Sequence, residues 1–218
     1  MMHRSWYWAI VVQLMLSTTA LGSAANKACL YDNEMTKPMS HSEFWSIVDR
    51  TTNCGGDRYC QRDALRVELE VKSPVDLIRF ERTHWDYMNR ALTWDLHGAG
   101  YVIHGGMSED GFFAFRNWLI SAGSQVYEEA LHEADSLADH MPLSDVDALE
   151  FEDFAYVAGE LWIRKCESNL ERFGDITKRS GLVYGSQPTG APFEERDSIA
   201  MSKRYPKLWK RFAQRPLG

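Results

Sequence analysis

Basic charge is short in this chain: 24 lysines and arginines stand against 31 aspartates and glutamates, a formal net charge of −7. A general nucleic-acid binder carries the opposite balance, so nucleic acid is not an expected partner. Sustained apolar–polar alternation is also missing, which leaves no basis for a sheet. None of the four cysteines is spaced as C-x-x-C, so zinc has no support from spacing. Gly98-Ala99-Gly100 does not match a dinucleotide fingerprint and follows no strand. No P-loop, nucleophile elbow or zinc-protease motif is found. No cofactor and no metal are therefore expected. Past the first residues, no run is apolar enough to span a bilayer.

The N-terminus has the three parts of a secretory signal peptide: basic Met1 to Arg4, apolar Trp6 to Leu16, then small residues through Ser17 to Ala25. Cleavage after Ala24 or Ala25 is expected, placing the protein in the periplasm or outside the cell. The apolar run is short for an uncleaved anchor. Residues 1–25 are read as this signal and 26–218 as a single domain, with a core over 42–172 and an arm and basic end over 175–218.

All four cysteines, Cys29, Cys54, Cys60 and Cys166, follow the signal, and an even count in an exported chain favours disulfides. Three connectivities are open. Cys54–Cys60 is preferred because Gly55 and Gly56 let the loop turn back, which leaves Cys29–Cys166. That second bridge would close a long loop and contribute about 4 kcal/mol on the chain-entropy account.

Helix signals recur along the chain. Ser40 and Glu43 form a capping box ahead of Phe44, Trp45, Ile47 and Val48. A mixed polar helix is expected over about Tyr59 to Val71. Ser73-Pro74-Val75-Asp76 opens a helix running to about Leu92, with a capping serine, proline at the first position and an acid in the first turn. Trp94 to Ile103 is apolar on every side and holds Gly98, Ala99 and Gly100, which predicts burial and a close crossing. Ser108 caps a helix to Ile120, Ser124 opens a short one, and Asp145 to Leu170 contains the last long one. Tyr184 to Asp197 reads as an extended arm. Ser202 to Gly218 has six Lys or Arg and no acid. A short helix from Pro206 puts Tyr205, Leu208, Trp209 and Phe212 on one face. Docking of that face on the acidic body is preferred over weak contact with a membrane surface.

Three polar residues fall inside apolar arcs. Arg116 lies among Phe112, Phe113, Phe115, Trp118, Leu119 and Ile120, while Asn117 and Ser121 mark the wet side. Glu81 and His84 lie in the arc of Leu77, Ile78, Phe80, Trp85, Tyr87 and Met88. An unpaired buried charge costs several kcal/mol, so Arg116 is expected to pair with Asp95 or Glu81, with His84 nearby. A network that fixes helix packing outweighs a catalytic site. Glu109 and Asp110 suit the first turn of a helix and need no catalytic role. His97 and His104 are two turns apart, roughly 10 Å of rise, and do not share a metal on one helix.

The strings FWSIVDRT from Phe44, WDLHGAGYVIHGG from Trp94 and SEDGFFAFRNWLISAGSQVYEEAL from Ser108 resemble domain-of-unknown-function family 4240. Asp135, Ser136 and Leu137 fit its Pro-Asp-Ser-Leu stretch, with Ala134 in place of proline. PTGAPFEERD and YPKLWKRF are similar to family endings. The resemblance implies a small helical domain and marks Asp95, Asp110 and Arg116 as pattern positions. It implies no activity. His97 and His104 depart from it, where tryptophan and asparagine are expected.

The fold expected is all-α, one compact multi-helix domain with an extended C-terminal arm and a short terminal helix. The leading functional expectation is a non-enzymatic exported module that binds another protein, an immunity-type role included, through positions such as Asp110 and Arg116. The alternative is a periplasmic hydrolase-like enzyme with Asp95, Arg116, Glu81 and His84 in one cleft, Arg116 holding an anion and a carboxylate or His84 acting as base. A third is envelope attachment through the basic tail.

Overall fold

The computed structural model describes residues 29–140 and 151–217. The signal-peptide segment lies outside them, as does the start of the helix expected from Asp145. Among the described residues the fold is all-α, and the only β-type pairing is one isolated bridge between Thr93 and Thr189.

Capping side chains set where the helices begin. Ser40 Oγ accepts from the Glu43 N–H at 3.2 Å and opens α1, His41–Thr51. Glu43 turns away to Lys72 at 2.8 Å, so only half of the capping box forms. Asp57 caps α2, Arg58–Glu70, and Ser73 caps α3, Pro74–Arg90. Thr93 opens α4, Trp94–His104, and Ser108 opens α5, Glu109–Ser121. A short α6, Ser124–His132, follows, its first N–H held by the Asp49 carboxylate at 2.7 Å. A one-turn α7, Leu137–His140, completes this part of the chain. Beyond residue 150 come α8, Asp153–Lys165; α9, Leu170–Arg179; α10, Ser198–Arg204; and α11, Pro206–Phe212.

The long α3 is the axis. It packs along α8 on one side and meets α1, α5 and α9 on others, while α2 lies against α8 and α1. Phe44, Leu77, Phe80, Tyr87, Phe115, Phe154 and Trp162 fill the centre. Two disulfides tie the edges, Cys54–Cys60 within the loop into α2 and Cys29–Cys166 across 137 positions of sequence.

The apolar α4 is buried by the C-terminus. A methyl group on Gly98 would overlap the Tyr205 hydroxyl, and one on Gly100 would sit 2.6 Å from the Met107 sulfur. The close crossing expected from the small residues is therefore real, and its partner is the tail. Gly105, at φ 75°, ends α4 in the left-handed region that a β-carbon disfavours. Tyr205, Leu208 and Phe212 are buried against the body. Asp135 accepts from the N–H groups of Lys207 and Leu208, each at 2.9 Å, and so caps α11.

Two expectations are corrected. The wheel put Asn117 and Ser121 on the wet side of α5, but both are buried. The helix is enclosed between α3, α8 and α1, and Gln61 donates to the Ser121 carbonyl from α2. The arm expected over 175–218 also starts later than residue 175, because α9 runs from Leu170 through Gly174 to Arg179. Its inward residues are few, Phe173, Ile176 and Thr177, and Asn169 caps it by accepting from Arg172 N at 2.9 Å.

Candidate functional site

The three polar residues predicted inside apolar arcs are indeed buried: Glu81 is 7 % exposed, His84 1 % and Arg116 8 %. They do not form one network. Glu81 Oε1 accepts from its neighbour one turn on, Trp85 Nε1, at 3.1 Å. Burial pushes its carboxyl up to about 7, against the opposing effect of that hydrogen bond. Tyr184, from the arm, stands edge-on to Trp85 with ring centroids 4.3 Å apart.

Among the described residues the polar side chain that His84 meets is Asn117, and neither ring nitrogen makes a hydrogen bond of normal geometry. Burial pushes its imidazole down to about 4; the Asn117 side chain beside it opposes that shift and the Arg116 charge adds to it. It is a neutral, enclosed ring packed 6.3 Å from Phe154. Near pH 6 a protonated Glu81 and a neutral His84 are the species present, so the pair carries no ionic attraction.

Arg116 reaches neither Asp95 nor Glu81, and the expected ion pair is absent. Its Nη1 donates to the Met88 carbonyl at 2.7 Å and its Nε to the Phe112 carbonyl at 3.4 Å. The guanidinium carbon lies 5.0 Å from the Phe112 ring centroid. Burial lowers its pKa to about 10, which leaves it cationic. Met88 is in the last turn of α3, where carbonyls lack helical partners and the macrodipole is negative. Arg116 thus satisfies a helix end. Asp95, by contrast, is on the surface, with 59 % of its side chain exposed, and it binds Arg204 through Nε at 2.9 Å. Asp110 is exposed in the first turn of α5, so it and Arg116 do not share a site.

A different place has the form of a site. Where the arm crosses α4 and the start of α5, an open groove of about 690 Å³ is lined by Trp94, His97, Met107, Ser108 and Glu109 from one side and by Phe193, Glu194, Glu195 and Arg196 from the arm. That volume is ordinary for a ligand pocket. The His97 ring is stacked between Trp94, at 5.6 Å and 11°, and Phe112, at 4.4 Å and 8°; Phe193 meets it edge-on at 5.6 Å. Its Nε2 is 3.4 Å from the Met107 carbonyl. Burial lowers the His97 pKa, while that carbonyl and the charges of Glu195 and Glu109 oppose the shift and Arg116 adds to it. His97 thus belongs to the aromatic cluster, while the carboxylates of Glu109, Glu194 and Glu195 are exposed beside it with Arg196.

The arm supplies Phe193, Glu194 and Glu195 to residues a hundred positions earlier. Sequence reasoning singled out none of the groove's rim or aromatic walls as a site. The only signal available was the Phe-Glu-Glu string in a Pro- and Gly-bearing arm. A second hollow of about 350 Å³ lies beside Gln61, Trp118, Ser121, His140 and Phe151. Neither hollow is lined by Glu81, His84, Arg116 or Asp95. Among the described residues, no group of three His, Cys, Asp or Glu side chains is placed to hold a metal ion. Nor is any helix there long and apolar enough to cross a membrane.

The fold and this arrangement define an all-helical domain with enclosed polar groups and an open acidic groove. The chain belongs to the DUF4240 family of proteins of unknown function, whose sequence profile matches residues 39–164. The match spans α1 to most of α8 and ends before the arm. No curated protein and no solved structure shows a significant match to the chain.

Proposed function

We propose that this protein is a non-enzymatic, exported module that binds another protein, immunity-type roles included, through the groove between the arm and α4. The observation that carries the reading is the groove itself, which joins aromatic walls from Trp94 and Phe193 to carboxylates at Glu109, Glu194 and Glu195. Aromatic side chains supply contact area at low entropic cost, which suits recognition. Export is supported by the N-terminal pattern and by the two disulfides, which persist in oxidising compartments.

The hydrolase alternative needs Asp95, Glu81, His84 and Arg116 to converge in an open cleft. Three of them are enclosed without bonding one another and the fourth is tied to Arg204 on the surface, so that reading loses its support. Envelope attachment through the basic tail is also disfavoured, because Leu208 and Phe212 are already spent on docking to the body.

The test is cross-linked affinity capture from the envelope and secreted fractions of the source organism. The wild-type chain is compared with a Glu194→Lys/Glu195→Lys variant. A specific partner that is captured by the first and lost with the second supports the proposal. No specific partner after cross-linking, or capture indifferent to the variant, overturns it.

A further inference from the structure

We infer that the groove's occupant is a lysine- or arginine-bearing segment of the partner; this rests on the binding reading above and names its chemistry. Three carboxylates, Glu109, Glu194 and Glu195, border the groove against one guanidinium, Arg196. His97 adds no charge near neutral pH, because burial holds its ring in the neutral form. The start of α5 brings the positive end of a helix dipole to the same edge, and that end favours anions. Glu109 and Asp110 in its first turn offset it, and the Ser108 hydroxyl already takes the Gly111 N–H at 3.0 Å.

What remains is a net negative set of exposed carboxylates beside aromatic side chains in one groove. Trp94 and Phe193 pack edge to face, at 76° with centroids 6.0 Å apart, and both line the groove. A cation held against such rings is attracted to their faces while its charge meets the carboxylates. An ammonium or guanidinium on a long apolar stem matches both features, since the stem packs on the aromatic surface and the head reaches the carboxylates. The chain's net charge of −7 draws such a segment in from a distance.

The probes are acetylated tri-lysine amide, tri-arginine amide and tri-glutamate amide. Binding is followed by NMR through the Trp94 indole N–H and the backbone N–H groups of residues 193–196, on the full mature chain at low salt. The cationic peptides are expected to shift these signals saturably, and raising the salt should weaken them. Glu194→Gln/Glu195→Gln should weaken the cationic peptides by about tenfold, the size of two partly exposed charge contacts. Phe193→Ala should weaken them as well. A Glu171→Gln/Asp175→Asn variant removes the same charge from the exposed face of α9 and should leave binding within about twofold.

Equal weakening by the two charge-removing pairs reduces the effect to net charge and overturns the inference. Tri-glutamate binding as well as tri-lysine also overturns it. If the cationic peptides fail while partner capture still depends on Glu194 and Glu195, the occupant chemistry is wrong and the binding module stands. If capture itself fails, the binding reading falls with it.

Discussion

Arg116 Nη1 donates to the carbonyl of Met88 at 2.7 Å, so the buried guanidinium serves the end of α3 and not a carboxylate. A helix presents four such carbonyls at its C-terminus, and a buried one needs a donor. Tyr127 adds a second bond one residue earlier: its hydroxyl donates at 2.7 Å to the Tyr87 carbonyl, which already accepts from the Ala91 N–H. Two side chains from α5 and α6 thereby close the end of α3.

Replacing Arg116 with Met leaves the Met88 carbonyl unpaired and should cost about 1–3 kcal/mol, read from urea unfolding. Combined with Glu81→Gln, the losses should add within about 0.5 kcal/mol, because the two groups share no bond. A coupling well above that would restore the ion pair that the structure lacks.

Glu81 and His84 should give opposite pH dependences. The folded carboxyl, near 7, binds protons that the unfolded one, near 4.5, has released, so its contribution falls as pH rises from about 4.5 to 7. The folded imidazole, near 4, refuses protons that the unfolded one, near 6.5, accepts, so its contribution falls as pH drops from about 6.5 to 4. Each amounts to roughly 3 kcal/mol as an upper bound. In the wild type the two largely cancel. Denaturation of Glu81→Gln at pH 4.5 and 6.5 should show stability gained with pH, and His84→Phe should show it lost. The same slope in both variants would refute this account.

Two glycines should respond to alanine with opposite signs. Gly98→Ala forces a methyl group into the Tyr205 hydroxyl, which is buried and donates to the Asp95 carbonyl at 2.9 Å. A loss of about 1–3 kcal/mol is expected, with easier proteolysis of the C-terminal segment. Gly174→Ala, in α9, meets nothing within 4 Å and should stabilise by about 0.5–1 kcal/mol. Thermal melts of the two variants settle both signs.

The disulfides should contribute unequally. Cys29→Ser/Cys166→Ser opens a loop closed across 137 positions and should cost about 4–5 kcal/mol; Cys54→Ser/Cys60→Ser opens one of only 6 and should cost about 2. Chemical denaturation of the two double variants compares them. A larger loss from the short loop would contradict the chain-entropy account.

The helical plan is legible in the sequence because its signals are local. Ser40, Ser73 and Ser108 each cap the helix whose start they announce. The burial of Glu81, His84 and Arg116 is legible too, since each shares an arc with large apolar residues. The error on Asn117 and Ser121 has a physical source: a wheel assumes one wet face, and α5 has none where α1, α3 and α8 enclose it. The partner of Arg116 was unreadable because it is a backbone carbonyl, which every residue carries.

By itself, then, the sequence determined the helical class, most helix starts, the burial of Glu81, His84 and Arg116, and how closely α4 is crossed. These follow from periodicity, capping and side-chain size, which act within a few residues. Only the tertiary structure decided what each buried group bonds to and where a ligand has room. The groove exists because an arm more than eighty residues downstream lays Phe193, Glu194 and Glu195 beside Trp94, His97 and Glu109. Nothing local in either segment specifies that meeting. The arm is held there by backbone bonds from Thr189 to Leu92 and Trp94, by Arg204 on the Ala191 and Pro192 carbonyls, and by the docking of Tyr205, Leu208 and Phe212 beyond it.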